Sequence, residues 1–144
     1  MESATMGKVL VTAKIENLRD LWDAERGTIQ PEQVHRLEVV DALVDPGSTN
    51  LILPKRLLAQ LDLTQLRAKR VETINGTVYL TAYGAVRLRV QGRDCTCDVV
   101  EAPDNVPDII GQVPLELMDW VVDPKGQQLI GNPAHGGEWM MEAY

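Results

Sequence analysis

A mainly β domain is the fold class that the sequence predicts, and three observations support it. The 144-residue chain has about eight or nine short runs of strand-forming residues, but only two short segments with a helical pattern. Turn-forming residues separate these runs. The chain is also long enough to bury a core without disulfides or metal. We therefore predict one closed or sandwich-like domain over residues 1–144, with its core at about 34–130 and a C-terminal tail at 131–144.

The first third of the chain predicts two strands on either side of an insertion. Residues 9–15 alternate weakly and are rich in β-formers, so they form the first predicted strand. Residues 17–33 are polar and charged, which predicts an irregular insertion with a possible helical turn at 18–22. Residues 35–44 form the second predicted strand. Its second half loses the polar alternation, which indicates burial on both faces.

A sharp turn follows the second strand, because Pro46 and Gly47 together break regular structure. Residues 51–53 then form a short apolar strand. Pro54 is predicted to open a helix that continues through residues 55–61, since proline is favoured in the first helical turn.

Two hairpins are predicted in the middle of the chain. Asn75 and Gly76 lie between β-rich runs, and both residues tolerate positive φ, so they are predicted to be the two turn residues of the first hairpin. Residues 84–90 and 95–100 are predicted to form the second hairpin.

The C-terminal part is predicted to contain a short strand, a helix and a third hairpin. The strand is the apolar segment at 109–111, which ends on a glycine, and the helix covers 114–119. Residues 120–122 and 127–130 flank a turn-forming sequence, which predicts the hairpin. The apolar group at 139–141, in the tail, is predicted to dock on its own domain or on a dimer partner.

Composition and charge exclude several classes of protein. A net charge of −7 argues against nucleic-acid binding and against attachment to anionic membranes. No apolar run is long enough to span a membrane, and residues 1–9 lack a secretion signal, so we expect a soluble cytoplasmic protein. Cys95 and Cys97 are too close along a strand for an unstrained disulfide, and they form no zinc motif. We expect no metal or cofactor, and we predict surface or structural roles for His35 and His135.

One segment carries a pattern suited to chemistry. An apolar strand leads a single carboxylate, Asp45, into a turn made by Pro46, Gly47 and Ser48. A carboxyl group in this position lies at the edge of a core and is partly removed from water. That environment suits a group that acts as a general base on a water molecule.

This segment resembles the active-site strand of retroviral-type (retropepsin-like) aspartic proteases, in which two apolar residues precede Asp-Thr/Ser-Gly-Ala/Ser. The similarity covers about residues 34–122. The family's later elements occur here in the same order: a strand and helix at 51–61, a flap hairpin at 71–80, a second hairpin at 85–100, an apolar-apolar-glycine motif at 109–111 and a helix at 114–119. The resemblance implies a closed β-barrel of the retropepsin-like acid protease type with one or two short helices.

The resemblance also implies a function. The chain has one Asp-x-Gly-Ser segment, so the family's pair of aspartates implies a homodimeric aspartic endopeptidase with Asp45 from each subunit. One carboxylate activates water and the other, protonated, polarises the peptide carbonyl. The implied partner is an extended peptide or protein substrate. The implied flap and groove residues are Ile74, Asn75, Gly76, Thr77, Val78 and Ile110.

Pro46 departs from the family pattern, because the family has Thr or Ser at this position. The family hydroxyl forms hydrogen bonds across the dimer axis, and proline has neither a hydroxyl nor a backbone N–H. This departure motivates an alternative, in which the chain is an inactive dimerisation or peptide-binding module with a protease fold. A third hypothesis is a monomeric β domain without the aspartate pair.

Overall fold

A computed structural model describes residues 8–102 and 105–143 of the chain. Most of the N-terminal segment predicted to lack a secretion signal lies outside these residues. The described residues form nine strands: β1 (Val9–Asn17), β2 (Arg36–Val44), β3 (Leu51–Pro54), β4 (Thr64–Thr73), β5 (Gly76–Val90), β6 (Arg93–Ala102), β7 (Ile109–Ile110), β8 (Trp120–Asp123) and β9 (Gln128–Gly131). They also form three α-helices, α1 (Leu18–Glu25), α2 (Lys55–Leu61) and α3 (Gln112–Leu117), and two 3-10 helices, Pro31–Gln33 and Pro133–His135. The predicted mainly β fold class is confirmed.

Seven strands form one sheet in the order β1-β2-β7-β3-β6-β5-β4, and β1 also pairs with β5. This last pairing joins six strands into a ring and leaves β4 outside it. Strands β8 and β9 form a separate antiparallel pair. The closed barrel of the retropepsin-like type stays a prediction. No helix among the described residues is long and apolar enough to cross a membrane.

The expected burial of both faces of β2 is wrong. Val40 is 72% exposed and Asp41 is also exposed, whereas Val39 and Ala42 are buried. The cause is a shift in the pairing with β1, where two β2 residues lie opposite Thr12 alone. Because of this bulge, two residues that are three positions apart, Val39 and Ala42, face the same side of the sheet. The sequence therefore does not alternate between apolar and polar residues here, although only one face is buried.

The first hairpin is present, but its turn differs from the prediction. Thr73 pairs with Gly76, so Ile74 and Asn75 are the central turn residues. Gly76 takes the positive φ, at +112°. The Thr73 hydroxyl accepts a hydrogen bond from the Asn75 backbone N–H and donates one to the Gly76 carbonyl. These side-chain bonds favour a turn one residue earlier than the Asn-Gly pair indicates.

The two predicted runs at 77–80 and 84–90 are one continuous strand, β5. Its first part pairs with β4 and its second part with β1, while β6 pairs with both parts across a register shift between Tyr83 and Val86. The second hairpin then turns at Gln91 and Gly92, and both of these residues have positive φ. The turn with two positive-φ residues that was predicted for the first hairpin therefore occurs in the second.

The helices also differ from the predictions in detail. The insertion contains α1, which Asn17 caps by accepting a hydrogen bond from the Asp20 backbone N–H. The buried Asn17 side chain also donates to the Leu61 carbonyl and so ties α1 to the end of α2. Pro54 ends β3 and precedes the first residue of α2.

The core lies inside the ring and includes β1, which is outside the predicted core boundaries. Val9, Ala13 and Ile15 alternate with exposed residues and are buried with the side chains of the other ring strands. Both cysteines are free: Cys95 is buried and Cys97 is half-buried.

Candidate active site

The pairing of β2 with β7 positions Asp45. The two strands run parallel, with Leu43 opposite Ile109 and Val44 opposite Ile110. The Asp45 backbone N–H continues this pattern and donates to the Ile110 carbonyl at 2.9 Å. The aspartate therefore lies where β2 leaves the sheet, next to the apolar-apolar-glycine motif.

Residues 45–48 form a tight turn that binds the carboxylate of Asp45. The Ser48 backbone N–H donates to the Asp45 carbonyl at 3.0 Å, and Pro46 occupies the second turn position, where its fixed φ is favourable. The Gly47 backbone N–H donates to Asp45 Oδ1 and the Ser48 hydroxyl donates to Asp45 Oδ2, both at 3.0 Å. Each carboxylate oxygen thus has one donor. Asp45 is half-buried, while Pro46 and Gly47 are exposed.

Gly111 is the point of closest contact with the Asp45 loop, which we define as residues 45–50. A Cβ atom at this buried glycine would lie 2.5 Å from the Asn50 carbonyl oxygen and 2.6 Å from the Thr49 carbonyl carbon. The Gly111 backbone N–H donates to the same Asn50 oxygen at 2.9 Å. Only glycine fits at this approach, so the two motifs of the sequence form one structural unit.

Helix α3 holds the Asp45 loop from the other side. The Gln112 backbone N–H donates to the Ser48 carbonyl at 2.8 Å, and the Val113 N–H donates to the Thr49 carbonyl at 2.9 Å. These N–H groups belong to the first helical turn and have no partner within the helix. Their bonds to the loop explain why the helix begins at Gln112 and not at the predicted residue 114.

A cleft of about 490 Å³ separates the Asp45 loop from the hairpin of β4 and the first part of β5, which we call the arm (residues 64–80). The loop side of the cleft consists of residues 47–50. The base and the arm contribute a mixed apolar and charged lining: Ile52, Val100, Lys69, Arg70, Val71, Glu72 and Leu80. A cleft of this size accommodates a few residues of an extended peptide.

The predicted flap residues, Ile74 to Val78, are at the exposed tip of the arm. Ile74 is fully exposed, and none of the five lines the cleft in this single chain. Their role over a bound peptide stays a prediction. Ile110 was predicted to line a substrate pocket, but its side chain is 0% exposed because β7 lies between β2 and β3. Its contribution here is the carbonyl that binds the Asp45 N–H.

Sequence reasoning missed the arm residues that do line the cleft. Lys69 and Val71 are half-buried, whereas the neighbouring Arg70 and Glu72 are exposed, so alternate side chains face inward. The signal that could have revealed them is the strand period extended back from the predicted hairpin. The run predicted as a strand began only at residue 71, which excluded Lys69.

Sequence reasoning also missed a second carboxylate site around Asp119. This residue is 7% exposed and has a positive φ of +58°. Its carboxylate lies 2.7 Å from His135 Nδ1 and accepts hydrogen bonds from the Asn132 side chain at 3.2 Å and the Met140 backbone N–H at 3.1 Å. His135 Nε2 lies 3.1 Å from the Glu142 carboxylate. The hydrogen bond with His135 lowers the pKa of Asp119, and the same bond raises the pKa of His135.

These contacts dock the C-terminal tail on the rest of the chain. The Arg93 guanidinium donates to the carbonyls of Met118, Asp119 and Gly137 and lies 4.1 Å from the ring centre of Trp120. The Trp139 ring N–H donates to the Leu117 carbonyl at 3.2 Å. The tail therefore contacts α3 and β8 of its own chain, which is one of the two arrangements that the sequence predicted. Asp119 is a structural carboxylate in this arrangement.

In the part of the chain that the structure describes, no three His, Cys, Asp or Glu side chains converge in a geometry that could hold a metal ion. At the Asp45 loop, the carboxylate accepts one hydrogen bond from a backbone N–H and one from a hydroxyl.

Comparison with known proteins agrees with this geometry. No curated protein matches the chain. A family model described as aspartyl protease matches residues 32–114, which is more than half of the chain and includes β2, the Asp45 loop, the cleft and Gly111. The chain therefore belongs to the aspartyl protease family.

Proposed function

We propose that the chain is a homodimeric aspartic endopeptidase that hydrolyses peptide bonds with a water molecule activated by two Asp45 side chains. The observation that carries this proposal is the Asp45 carboxylate itself. It is held by Gly47 and Ser48 on a loop that packs on Gly111, within the segment matched by the family model. Here too we infer that the ring of six strands is a closed barrel.

The second aspartate of the pair comes from a second copy of the chain. The sequence contains one Asp-x-Gly-Ser segment of this type, so one chain supplies one carboxylate. Pro46 and Gly47 are exposed at the tip of the Asp45 loop, where a symmetric partner has room to approach. A two-fold axis near this tip places the two carboxyl groups side by side.

The paired carboxyl groups provide both a base and an acid. Two carboxylates this close cannot both ionise easily, so the pair holds one proton. The ionised group takes a proton from water while the water oxygen bonds to the peptide carbonyl carbon. The protonated group gives its proton to the carbonyl oxygen. The C–N bond of the resulting diol then breaks as the leaving nitrogen takes the proton of the protonated carboxyl group. One diol hydroxyl gives its proton to the ionised carboxylate at the same time, so the pair again holds one proton.

The substrate is an extended peptide in the cleft between the Asp45 loop and the arm. An extended chain places alternate side chains on opposite sides, and the apolar cleft residues Ile52, Leu80 and Val100 suit an apolar side chain. The arm projects from the ring as a two-stranded hairpin, with β4 paired to β5 alone. Movement of its tip toward the loop would exclude water from the bound peptide.

The alternative is a protease-fold module that binds a peptide or a second copy without cleavage. Pro46 is the observation that favours it, because a proline at the loop tip offers neither a hydroxyl nor an N–H to a partner loop. Each lost hydrogen bond in a buried network costs about 0.5–1.5 kcal/mol, which weakens the rigidity of an aspartate pair.

Digestion of a peptide library, read by mass spectrometry across a pH series, tests the proposal. The unaltered chain, Asp45→Asn and Pro46→Thr are compared, and sedimentation measures the association state of each. Cleavage by the unaltered chain that disappears in Asp45→Asn supports the peptidase. Cleavage by Pro46→Thr alone supports the inactive module. Cleavage that persists in Asp45→Asn contradicts the role of the aspartate pair, and a monomer at all concentrations contradicts the dimer.

A further inference from the structure

The cleft has a local charge opposite to that of the chain. The net charge of the chain is −7, yet two cationic residues and one anionic residue line the cleft. Arg70 and Glu72 form an ion pair with each other at 2.9 Å, and both side chains are mostly exposed. The remaining charge in the cleft is Lys69.

The pairing within the arm places Lys69 on the side that faces the cleft. Lys69 lies opposite Leu80, and Val71 lies opposite Val78, so these four side chains share one face of the hairpin. Lys69, Val71 and Leu80 are half-buried and line the cleft. Lys69 is thus a cation at the end of an apolar surface.

Lys69 has no anionic partner among the described residues, because none of their carboxylates lies within ion-pairing distance of it. A cationic side chain that lines a cleft and has no anionic partner there interacts favourably with an anion that enters the same space. An acidic side chain of a bound peptide supplies that anion.

We propose that Lys69 is a specificity-determining residue that selects peptides with an acidic side chain two positions from an apolar side chain. This inference rests on the proposed function, since the peptide occupies the same cleft. Lys69 and Val71 are two residues apart on one face of β4, and an extended peptide repeats its side chains at the same spacing. An apolar side chain packed near Val71 therefore brings the residue two positions away beside Lys69.

Peptide binding measured in the Asp45→Asn background tests the inference without cleavage. Fluorescence anisotropy compares four labelled peptides around a central Leu. Two carry Glu two positions before or after the Leu, one carries Lys at both of these positions, and one carries Glu only at the adjacent position. The further substitutions are Lys69→Glu, Lys69→Met and a matched charge reversal at the exposed Lys125 in the β8–β9 turn.

We expect one Glu peptide with the two-residue spacing to bind about five- to tenfold more tightly than the Lys peptide, as for a partly buried charge pair. Lys69→Glu reverses this preference, Lys69→Met removes it, and Lys125→Glu leaves it unchanged. If the Lys69→Met variant binds the Glu peptide and the Lys peptide equally well, the arm of this variant is still folded.

Three results overturn the inference: equal binding of the Glu and Lys peptides by the Asp45→Asn chain, a preference that survives in Lys69→Met, and no binding of either peptide. The unaltered chain is tested separately for cleavage of the same peptides. Cleavage without charge preference rejects the role of Lys69 and retains the peptidase. Charge-selective binding without cleavage retains the role of Lys69 and rejects the peptidase.

Discussion

Asp45 and Asp119 are two aspartates in very different surroundings within one small chain. Asp45 is half-buried, and its carboxylate accepts one hydrogen bond from a backbone N–H and one from a hydroxyl. Asp119 is buried, and its carboxylate binds three partners, one of them the His135 ring. A carboxylate has about four acceptor positions, so Asp45 keeps positions free for water or substrate while Asp119 has almost none. The number and type of donors distinguish the carboxylate that we propose to be catalytic from a structural one.

The largest expected effect is the loss of cleavage in Asp45→Asn. Asparagine cannot take a proton from water, so we expect kcat/KM to fall at least about 10³-fold. The melting temperature should change little, because Asp45 is only half-buried. Peptide cleavage and thermal melting measure the two effects. Equal peptide cleavage by the unaltered chain and by Asp45→Asn would contradict the catalytic role that we propose for Asp45 and not for Asp119.

The second-largest expected effect is that of Gly111→Ala, which tests whether the close packing of Gly111 positions Asp45. In Gly111→Ala the new methyl group meets backbone atoms of Thr49 and Asn50, which cannot move independently of the Asp45 loop. We expect a loss of about 1–3 kcal/mol in the free energy of unfolding, measured by urea denaturation, together with reduced cleavage. Gly126→Ala is the control, because its methyl group meets only the side chains of Asp123 and Gln128. Equal costs in both variants would contradict the close approach at Gly111.

Asp119→Asn is expected to show the opposite pattern to Asp45→Asn. The amide loses the ionic hydrogen bond with His135, and its NH₂ group faces donors from Asn132 or Met140. We expect a melting temperature lower by several degrees and faster proteolysis of the tail by an added protease. Cleavage of a peptide substrate well below the melting temperature should be retained. A variant that melts like the parent but cannot cleave would place Asp119 in the active site.

The smallest expected effect is a pH dependence of the stability that the contact between His135 and Asp119 provides. The pKa of His135 is raised above its ordinary value of 6.5, so its stabilising contribution is complete below about pH 6.5 and is lost as the pH rises through the raised pKa. The pKa of Asp119 is lowered from 3.8, so its contribution is present above about pH 3.8 and is lost at lower pH.

The difference in melting temperature between the parent and His135→Gln should therefore be largest between about pH 4 and 6.5 and should decrease above that range. Thermal melts in a series of buffers at constant ionic strength measure this difference. His35→Gln is a matched control, since the His35–Asp20 pair is more exposed. A difference that does not change with pH would contradict the ion pair of His135 with Asp119.

The sequence was informative where the structure depends on local chemistry. Asp45, Gly47 and Ser48 form a continuous motif, and the turn they predict is the turn observed. Gly111 was identified through the apolar-apolar-glycine motif of the resembled family, and the structure gives the reason for a glycine there, which is the close approach of the Asn50 and Thr49 backbone. Runs of strand-forming residues between turn-forming residues predicted most strands, because both signals are local in the sequence.

The remaining features depend on contacts between distant segments. The bulge of β2 arises from its register with β1, and the inward position of Lys69 depends on its pairing with β5. His135 was predicted to have a surface or structural role, but its partner Asp119 is separated from it by a hairpin and could not be identified from spacing. Ile110 was expected to face a peptide. The residues next to it in the sequence do not show that it lies inside a ring of paired strands.

The double pairing of β1 has a consequence for the order of folding. Lys14 pairs with Arg89, so two residues about half a chain length apart must meet before the ring can close. Contacts of such long separation slow folding, because the entropy of the intervening chain is lost before the contact is gained. During synthesis β1 leaves the ribosome before β5 has been made. Until then, the edge of β1 that pairs with β5 stays unpaired. This unpaired edge of β1 offers a site at which partly folded chains aggregate.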